Sequence, residues 1–256
     1  MKIAVISDIH SNADALKLSI DSLKSKNVNL TVFLGDILSY GCQPFEVIEI
    51  LTKYSSSEPS VFIKGNHDQF YFDLQAGVKN LHYNLPKFVQ ESVEWTFNLI
   101  NTIPLNKIFK WYENYTIGNL YFSHANLYKY GNWSYVENRS DLQKSFIELT
   151  ERNLFAGIFG HSHRQFITGI KNDKLYQMDL LFENSKNIDH LLINAGSVGQ
   201  PRGMGIGYLI LEILNNKLQK ASFEKINLDF RNSINLIQKT KLSQETKKKL
   251  IGYLET

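Results

Sequence analysis

Cysteine is almost absent from this chain of 256 residues, in which Cys42 is the only one. A single cysteine excludes disulfide bonds within the chain and also excludes a metal cluster held by several thiolates. No partner residue at a recognisable spacing supports Cys42 as a nucleophile. We therefore expect any metal in this protein to be held mainly by oxygen and nitrogen ligands.

Long apolar runs are also missing. No stretch approaches the ~20 consecutive apolar residues that cross a bilayer. The opening MKIAVISDIH turns polar at Ser7, too soon for the apolar core of a signal peptide. We therefore expect a cytoplasmic protein without a membrane partner.

Charge of one sign is not in large excess. The formal net charge is +3 and charged residues make up 21% of the chain. Nucleic-acid binders usually show a dense basic stripe, so nucleic acid is not the partner that we expect. The small positive charge does permit an anionic substrate. The sequence leaves the oligomeric state open.

The first third of the chain alternates apolar strands with amphipathic helices. The strands KIAVISD, LTVFLGD and SVFIKGNHD are separated by NADALKLSIDSLKSK and PFEVIEILTKY, which have helical spacing. Asn12 is predicted to cap the first helix, and Pro44 to open the second. Apolar strands that alternate with helices favour parallel pairing with both sheet faces covered.

The remaining elements follow without an obvious linker. We predict a long amphipathic helix over 85–101 and a β-hairpin arm over 172–186. Further strands are predicted at LYFSHAN, FAGIFGHSH, HLLINAGSVG, GYLILEI and LQKASFEKI. The segment LSQETKKKLIGYL predicts a helix capped by Ser243, whose lysine run is expected to be a solvated face. Because there is no repeat or low-complexity segment either, we expect one domain, 1–256.

Histidines concentrate where predicted strands end. Five of the seven lie in such motifs, and only His82 and His190 lie outside. In IFGHSHRQF, His161 and His163 are one residue apart, and on a strand both side chains would point the same way. One such pair is also compatible with an ordinary polar turn. The motifs SDIH, LGD, GNHD and FSHAN repeat the pattern, however, and that repetition favours a metal site.

The carboxyl ends of strands in an open α/β sheet are where ligands bind. The side chains in these motifs that can bind metal are Asp8, His10, Asp36, Asn66, His124, His161 and His163. Seven ligands are too many for one four-coordinate ion, whereas a shared carboxylate would divide them between two. Oxygen and imidazole ligands suit manganese, which we expect first, and also iron, zinc or magnesium.

Taken in order, these motifs resemble those of the calcineurin-like metallophosphoesterases. They are D-x-H (Asp8, His10), G-D (Asp36), G-N-H-D (Asn66, His67), a lone histidine (His124) and G-H-x-H (His161, His163). In addition, YGCQPFEVIEIL and NAGSVGQPR are similar to the small prokaryotic branch without an accessory domain. The resemblance implies an α/β (α+β) fold, a four-layer αββα sandwich with a two-metal centre at one rim.

The resemblance also implies a role for each residue. The first ion would be held by Asp8, His10 and His163, and the second by Asn66, His124 and His161. Asp36 would bridge both ions, and His67 would face the substrate and protonate the leaving oxygen. The implied reaction is hydrolysis of a phosphomonoester or phosphodiester of a small substrate, for example a nucleotide, by a hydroxide that bridges the two ions.

The chain departs from the phosphoprotein phosphatases of this family in one stretch. Those proteins read G-D-x-x-D-R-G, whereas this chain reads GDILSYG, with Ser39 and Tyr40 in place of the aspartate and arginine. The difference counts against a phosphoprotein phosphatase and leaves the residue that orients His67 open. Ser11 and Ala125 also stand where the family usually has glycine, which puts the fit of the substrate in question.

Three further residues have two interpretations each. Asn12 could bind a substrate phosphate, cap the helix, or do both. Arg202, in GSVGQPRG, could grip a second phosphate because its loop glycines permit a close approach, or it could be a surface arginine in a turn. Tyr40 could line a pocket for a base or sugar, or could simply pack.

Two other functions remain open. Some members of this family have lost their metals and act as protein-binding scaffolds, although here all seven ligand positions keep side chains able to bind metal. Nucleases of the same superfamily usually carry a further domain that grips DNA, for which 256 residues leave little room.

Overall fold

The computed structural model describes residues 1–78, 85–184, 187–202 and 205–255. The helices are α1 (Ala13–Leu23), α2 (Pro44–Ser57), α3 (Asn66–Gln75), α4 (Lys87–Ile100), α5 (Leu105–Ile108), α6 (Arg139–Glu151), α7 (Arg231–Lys239) and α8 (Gln244–Gly252). The strands are β1 (Lys2–Ile6), β2 (Leu30–Phe33), β3 (Ser60–Ile63), β4 (Trp111–Tyr112), β5 (Asn114–Ile117), β6 (Leu120–Ser123), β7 (Ala156–Phe159), β8 (Phe166–Lys171), β9 (Lys174–Met178), β10 (Leu181–Glu183), β11 (His190–Asn194), β12 (Ile206–Leu214) and β13 (Lys217–Ile226).

The described strands form two mixed sheets. The first sheet has the order β10-β13-β12-β1-β2-β3-β4, and the second has the order β5-β6-β7-β11-β8-β9. Strands β1, β2 and β3 are parallel to one another in the first sheet, and β6, β7 and β11 are parallel in the second. The carboxyl ends of each parallel set therefore share one edge of their sheet.

Strand β1 shows how the layers are built. Its residues alternate between two faces, so that Ala4 and Ile6 pack in the core beneath the helices. Ile3 and Val5 point the other way, into the core between the two sheets. Full burial of a valine or isoleucine side chain contributes roughly 1.5–3 kcal/mol, so both faces of the strand stabilise the fold.

A third apolar cluster covers the outer face of the second sheet. There Phe146 and Leu149 of α6 pack on Tyr121, Phe159 and Leu192. The order of layers is helices, first sheet, second sheet and helix. This arrangement confirms the expected α/β (α+β) four-layer αββα sandwich.

Most local signals in the sequence have the expected outcome. The Asn12 side chain accepts a hydrogen bond from the Ala15 amide and caps α1, and Pro44 is the first residue of α2. The long helix predicted over 85–101 is observed as α4. The Ser243 hydroxyl accepts from the Thr246 amide and caps α8.

The hairpin predicted over 172–186 is wrong. Strand β9 pairs with the preceding β8 through a two-residue turn at Asn172 and Asp173, both of which have positive φ, as tight hairpin turns require. Strand β10 instead crosses to the first sheet and pairs with β13. Residues 185 and 186 lie outside the described residues.

In the described part of the chain, none of the helices has the length and apolar character needed to cross a membrane.

Candidate metal centre

The predicted ligands come together where the parallel strands end. Two groups form, and within each group the candidate ligand atoms lie within 4.8 Å of one another. The first group is Asp8, His10 and His163, and the second is Asp36, His124 and His161. All six side chains are buried. Each group combines residues that follow strands of the first sheet with residues that follow strands of the second.

Left-handed backbone directs these side chains. The φ angles are 53° at Asp8, 47° at His10, 52° at Asp36, 64° at His161 and 62° at His163. A residue other than glycine in this region costs on the order of 1–3 kcal/mol, and such strain concentrates at functional sites. The positive φ angles also correct the expectation that His161 and His163 lie on a strand. Because β7 ends at Phe159, a loop, not strand alternation, sends the two imidazoles to different groups.

Two glycines allow the loops to approach one another. A Cβ atom on Gly65 would collide with the Asp36 carboxylate, and one on Gly160 would collide with the Ser7 hydroxyl and the Asp8 carboxylate. With glycine in place, the Ser7 hydroxyl donates to Asp8 Oδ2 at 2.5 Å, and the His161 amide donates to the same oxygen at 2.9 Å. The position of Asp8 is thus fixed by contacts from both sheets.

Backbone carbonyls fix the tautomers in the first group. His10 Nδ1 lies 3.1 Å from the Leu38 carbonyl oxygen, and His163 Nδ1 lies 2.6 Å from that of Gln200. A carbonyl can only accept, so both Nδ1 atoms carry the proton. The two Nε2 atoms lie 3.0 Å apart. If both rings are neutral, two lone pairs face each other, an arrangement that a cation between them would make favourable.

The second group repeats this pattern. His124 Nδ1 donates to the Leu34 carbonyl at 2.7 Å, and His161 Nε2 donates to that of Trp133 at 2.9 Å. The remaining nitrogens, His124 Nε2 and His161 Nδ1, lie 3.2 Å apart. Asn66 Oδ1 lies 3.1 Å from His124 Nε2 and adds an oxygen to the same space.

The two aspartates complete the donor set. Asp8 Oδ1 is buried, and no donor among the described residues hydrogen-bonds to it. Asp36 Oδ2 lies 3.3 Å from His124 Nε2 and 3.9 Å from His10 Nε2, so this carboxylate stands between the two groups. Inward lone pairs on imidazole, carboxylate and amide groups fit a divalent cation in each group.

In the metal-free chain two of these imidazoles are neutral, while a third, His124, carries a proton that a bound cation would displace. Burial lowers the pKa of His161 to about 3 and holds the pKa of His10 well below its ordinary value, so both rings are neutral at neutral pH. Burial opposes charge on His124 as well, but the Asp36 carboxylate overrides it and raises the pKa of His124 to about 9. Burial would raise the pKa of Asp36, yet His124 and His67 hold it well below its usual value.

His67 has a neighbour that the sequence did not reveal. The ring lies in the first turn of α3, where its backbone amide donates to Asp36 Oδ1 at 2.8 Å. His67 Nδ1 shares a hydrogen bond of 2.9 Å with Ser39 Oγ, which in turn shares one of 2.5 Å with the Tyr71 hydroxyl. Burial lowers the pKa of His67 to about 4. The available signal was positional, because Ser39 stands where the phosphoprotein phosphatases have aspartate.

Asp68 holds the loops together from behind the site. Its carboxylate accepts hydrogen bonds from the amides of Asp36 at 2.7 Å, Gly65 at 2.8 Å and Ile37 at 3.1 Å. Burial, followed by the nearby Asp36 charge, raises the pKa of Asp68 to about 7. Asp68 therefore positions Asp36 through backbone contacts, and it is not a member of either ligand group.

A cleft of about 360 Å³ opens beside the two groups, within the size range of small-molecule sites. His67, Tyr40 and Arg202 line it together with Asp36 and Asn66. Tyr40 also packs against other rings, so its two interpretations are compatible.

Asn12 is not among the residues that line this cleft. Its Oδ1 caps α1, and its Nδ2 donates to the Gly199 carbonyl at 3.0 Å. The structure thus places Asn12 as a brace between α1 and the loop that follows β11.

The other candidate residues lie apart from the ligand groups. Cys42 is part-buried, and burial raises the pKa of its thiol to about 12, so the nucleophilic thiolate is strongly disfavoured. His190 begins β11 and donates from Nδ1 to the Leu154 carbonyl. His82 lies outside the described residues.

Comparison with known proteins identifies the family. The model of the "Calcineurin-like phosphoesterase superfamily domain" matches residues 1–216. The chain belongs to the calcineurin-like phosphoesterase superfamily. A relative of this family member, "Uncharacterized protein MJ0912" of Methanocaldococcus jannaschii, is 30% identical in an alignment that covers 94% of each chain.

Solved structures share the fold of this chain. The metallophosphoesterase from Sphaerobacter thermophilus superposes with a TM-score of 0.73 at 20% identity, over 98% of both chains. The hypothetical protein PH1004 from Pyrococcus horikoshii OT3 gives a TM-score of 0.72 at 15% identity, over 97% of both chains. At these identities the likeness shows the fold alone.

Proposed function

We propose that this calcineurin-like phosphoesterase is a two-metal enzyme that hydrolyses a phosphomonoester or phosphodiester bond of a small substrate. The observation that carries the proposal is the position of Asp36, whose Oδ2 faces His124 of one group and His10 of the other. A carboxylate shared in this way is what a pair of adjacent cations needs. Two-metal sites are a common arrangement for phosphoryl transfer.

The residues that would hold the cations follow from the two groups. One ion would be bound by Asp8, His10 and His163, the other by Asn66, His124 and His161, and Asp36 would contact both. Manganese is the metal that we propose first, with iron, zinc or magnesium as alternatives. When bound, the two cations would stabilise negative charge on phosphate oxygens and lower the pKa of a coordinated water.

Charge explains why this site would attract a phosphate. Asp8 and Asp36 contribute two negative charges, while the imidazole and amide ligands are neutral. Two divalent cations would therefore leave a surplus of about two positive charges in a largely buried place, where electrostatic attraction is screened only weakly. An anionic substrate would neutralise that surplus.

His67 would act on the leaving oxygen. We propose that the Tyr71 hydroxyl donates to Ser39 Oγ and that Ser39 donates to His67 Nδ1, which would leave the proton of the neutral ring on Nε2. Nδ1 is occupied by Ser39, so Nε2 is the atom available to the cleft. A proton at Nε2 could stabilise the leaving oxygen or be transferred to it.

Metal content and hydrolysis test this proposal together. The purified chain, reconstituted with Mn²⁺, should contain two ions per chain by mass spectrometry and should hydrolyse p-nitrophenyl phosphate or its bis-ester. Two bound ions without turnover of either ester would favour a metal-binding scaffold. Absence of bound metal would reject the assignment of the two groups.

Three wider expectations remain proposals. We propose a single domain over 1–256, supported by Ile237 and Leu250 of α7 and α8, which share an apolar core with Ile6 of β1. We also propose a small phosphorylated substrate with no membrane or nucleic-acid partner. A cytoplasmic location is supported by the single cysteine.

A further inference from the structure

Two cations line the cleft outside the metal-ligand groups. The Arg202 guanidinium lies 5.1 Å from the centre of the Tyr253 ring, and Lys249 Nζ lies 5.0 Å from the centre of the same ring. All three residues line the cleft. Cation–π contacts offset part of the repulsion between the two positive charges, but they do not neutralise them.

Within the described residues, neither charge is neutralised by a carboxylate. Among residues 1–78, 85–184, 187–202 and 205–255, no carboxylate forms an ion pair with Arg202 or Lys249. Arg202 Nε is buried and has no hydrogen-bond acceptor within that part of the chain. A buried donor without an acceptor is costly, so this guanidinium is prepared for an anionic group.

Aromatic rings connect these cations to His67. Tyr40 lies 4.7 Å from His67, ring centre to ring centre, and stacks on Phe88 at 5.9 Å with an interplanar angle of 25°. Phe88 lies 6.2 Å from Tyr253. The rings of Tyr40, Phe88 and Tyr253 therefore form a row along the cleft, from the proposed proton donor to the two cations. Phe88 and Tyr253 are partly exposed and offer ring surfaces to an aromatic ligand, whereas Tyr40 is buried between them and His67.

Two of the residues that line this side of the cleft lie beyond the region that the family model matches. The family model ends at residue 216, whereas Lys249 lies on α8 and Tyr253 directly after it. Helix α8 packs on α4, which carries Phe88, and so reaches the cleft from a distant part of the sequence. Residues beyond the family model are suited to choosing a substrate, because the ligand groups themselves belong to the matched region.

We propose that Arg202 and Lys249 form a subsite for a second anionic group. The substrate would be a phosphate ester that carries both an aromatic ring and a second phosphate, as nucleoside bisphosphates do. Naming the substrate in this way rests on the proposed function. Anion binding at the two cations does not require the metals.

Binding to the metal-free full-length chain tests the subsite without catalysis. Adenosine 5′-monophosphate is the probe, and calorimetry measures its dissociation constant. Lys249→Gln and Arg202→Gln should each weaken binding about tenfold, the usual scale for losing one charge-assisted contact. Lys248→Gln makes the same charge change at an exposed lysine on α8 that does not line the cleft, and should leave the dissociation constant unchanged. Equal losses in the Lys248 and Lys249 variants would overturn the subsite.

Kinetics with the Mn²⁺-loaded enzyme tests the substrate class. The ratio of kcat/KM for adenosine 3′,5′-bisphosphate to that for adenosine 5′-monophosphate should be about ten or more in the wild type and near one in Lys249→Gln. Turnover of both esters with a ratio near one in the wild type would reject the subsite and leave the phosphoesterase proposal intact. Failure to hydrolyse any ester, with Lys249-dependent binding preserved, would reject the proposed function and leave the subsite standing.

Discussion

Ser39 Oγ lies 2.9 Å from Nδ1 of His67 and 2.5 Å from the hydroxyl of Tyr71. All three side chains are buried, so water cannot easily replace a lost member of this chain of hydrogen bonds. Ser39, which stands at the motif position where the phosphoprotein phosphatases have aspartate, thus places a hydroxyl beside the histidine. Because a hydroxyl is neutral, it can orient the ring and select its tautomer without stabilising a positive charge on it.

Ser39→Ala should lower kcat about tenfold while KM and metal content stay within about twofold, since one neutral hydrogen bond is lost. The backbone contact from His67 to Asp36 does not depend on Ser39. Ser22→Ala is the matched control, because Ser22 also shares a hydrogen bond with a tyrosine hydroxyl, that of Tyr208. Steady-state kinetics on p-nitrophenyl phosphate measures the effect, and an equal fall of kcat in both variants would show that Ser39 has no special role.

Asp36→Asn should lose both metal and turnover. The substitution removes the negative charge that stands between the two groups, and we expect metal affinity to fall by more than about 100-fold, beyond the usual effect of a residue behind the ligands. Asp73→Asn, on α3, makes the same charge change outside the cleft and serves as the control. Mass spectrometry of the dialysed proteins gives the metal content. Two ions retained by Asp36→Asn would contradict the shared-ligand role.

His67→Ala should keep both ions and lose activity selectively. Its backbone amide still donates to Asp36, so the ligand loop is preserved, but the proton donor is gone. Loss of a general acid usually costs about 100-fold to 10,000-fold, and we expect the largest loss on esters with poor leaving groups. His190→Ala, at a histidine far from the ligand groups, is the control. Metal loss in His67→Ala would show that His67 is a ligand.

Acid should destabilise the metal-free chain. Burial lowers the pKa of His67 to about 4 and that of His161 to about 3, and it also lowers the pKa of His10. Below about pH 6.5 these three histidines are therefore protonated in the unfolded chain but remain neutral in the folded chain. Asp68 offsets the uptake of about one proton, because its raised pKa of about 7 lets the folded state bind a proton between about pH 4 and pH 7. The stability that depends on these three neutral rings is therefore full above about pH 6.5 and decreases toward pH 4. His124 acts in the opposite direction, because its raised pKa of about 9 gives a contribution that is full below pH 6.5 and is lost as the pH rises through 9.

The expected slope is up to about 3 kcal/mol per pH unit, corresponding to a difference of about two protons. Urea unfolding of the chelator-treated protein at pH 7 and at pH 5 measures it. A free energy of unfolding that is equal at the two values would mean that these histidines are accessible to protons in the folded state.

The first third of the fold could be predicted because its signals are local. Buried parallel strands give uninterrupted apolar runs, while Asn12 and Pro44 mark helix starts by their own chemistry. The pairing of β10 could not be predicted in the same way. Its partners lie about forty residues away in β13, as in the pair Leu181 and Ser222, and nothing within 172–186 encodes that choice.

The candidate site divides along the same line. Motif order predicted ligand side chains that the structure brings together in two groups, and the division of these ligands between two ions remains a proposal. The contact of His67 with Ser39 joins residues 28 positions apart and depends on how α3 packs against the loop after β2. Lys249, within the lysine run that was expected to be a solvated face, is exposed yet lines the cleft, because α8 folds back onto α4.

Each ligand group draws on both sheets: Asp8 and His10 follow a strand of the first and His163 a strand of the second, and Asp36 faces His124 and His161 in the same way. A cation bound in either group would cross-link the two sheets and oppose any movement of one sheet relative to the other. Metal binding should then slow amide hydrogen exchange at the ends of β1, β2, β6 and β7 together, even though these strands belong to different sheets. Neither half of the chain contains all the ligands of either group.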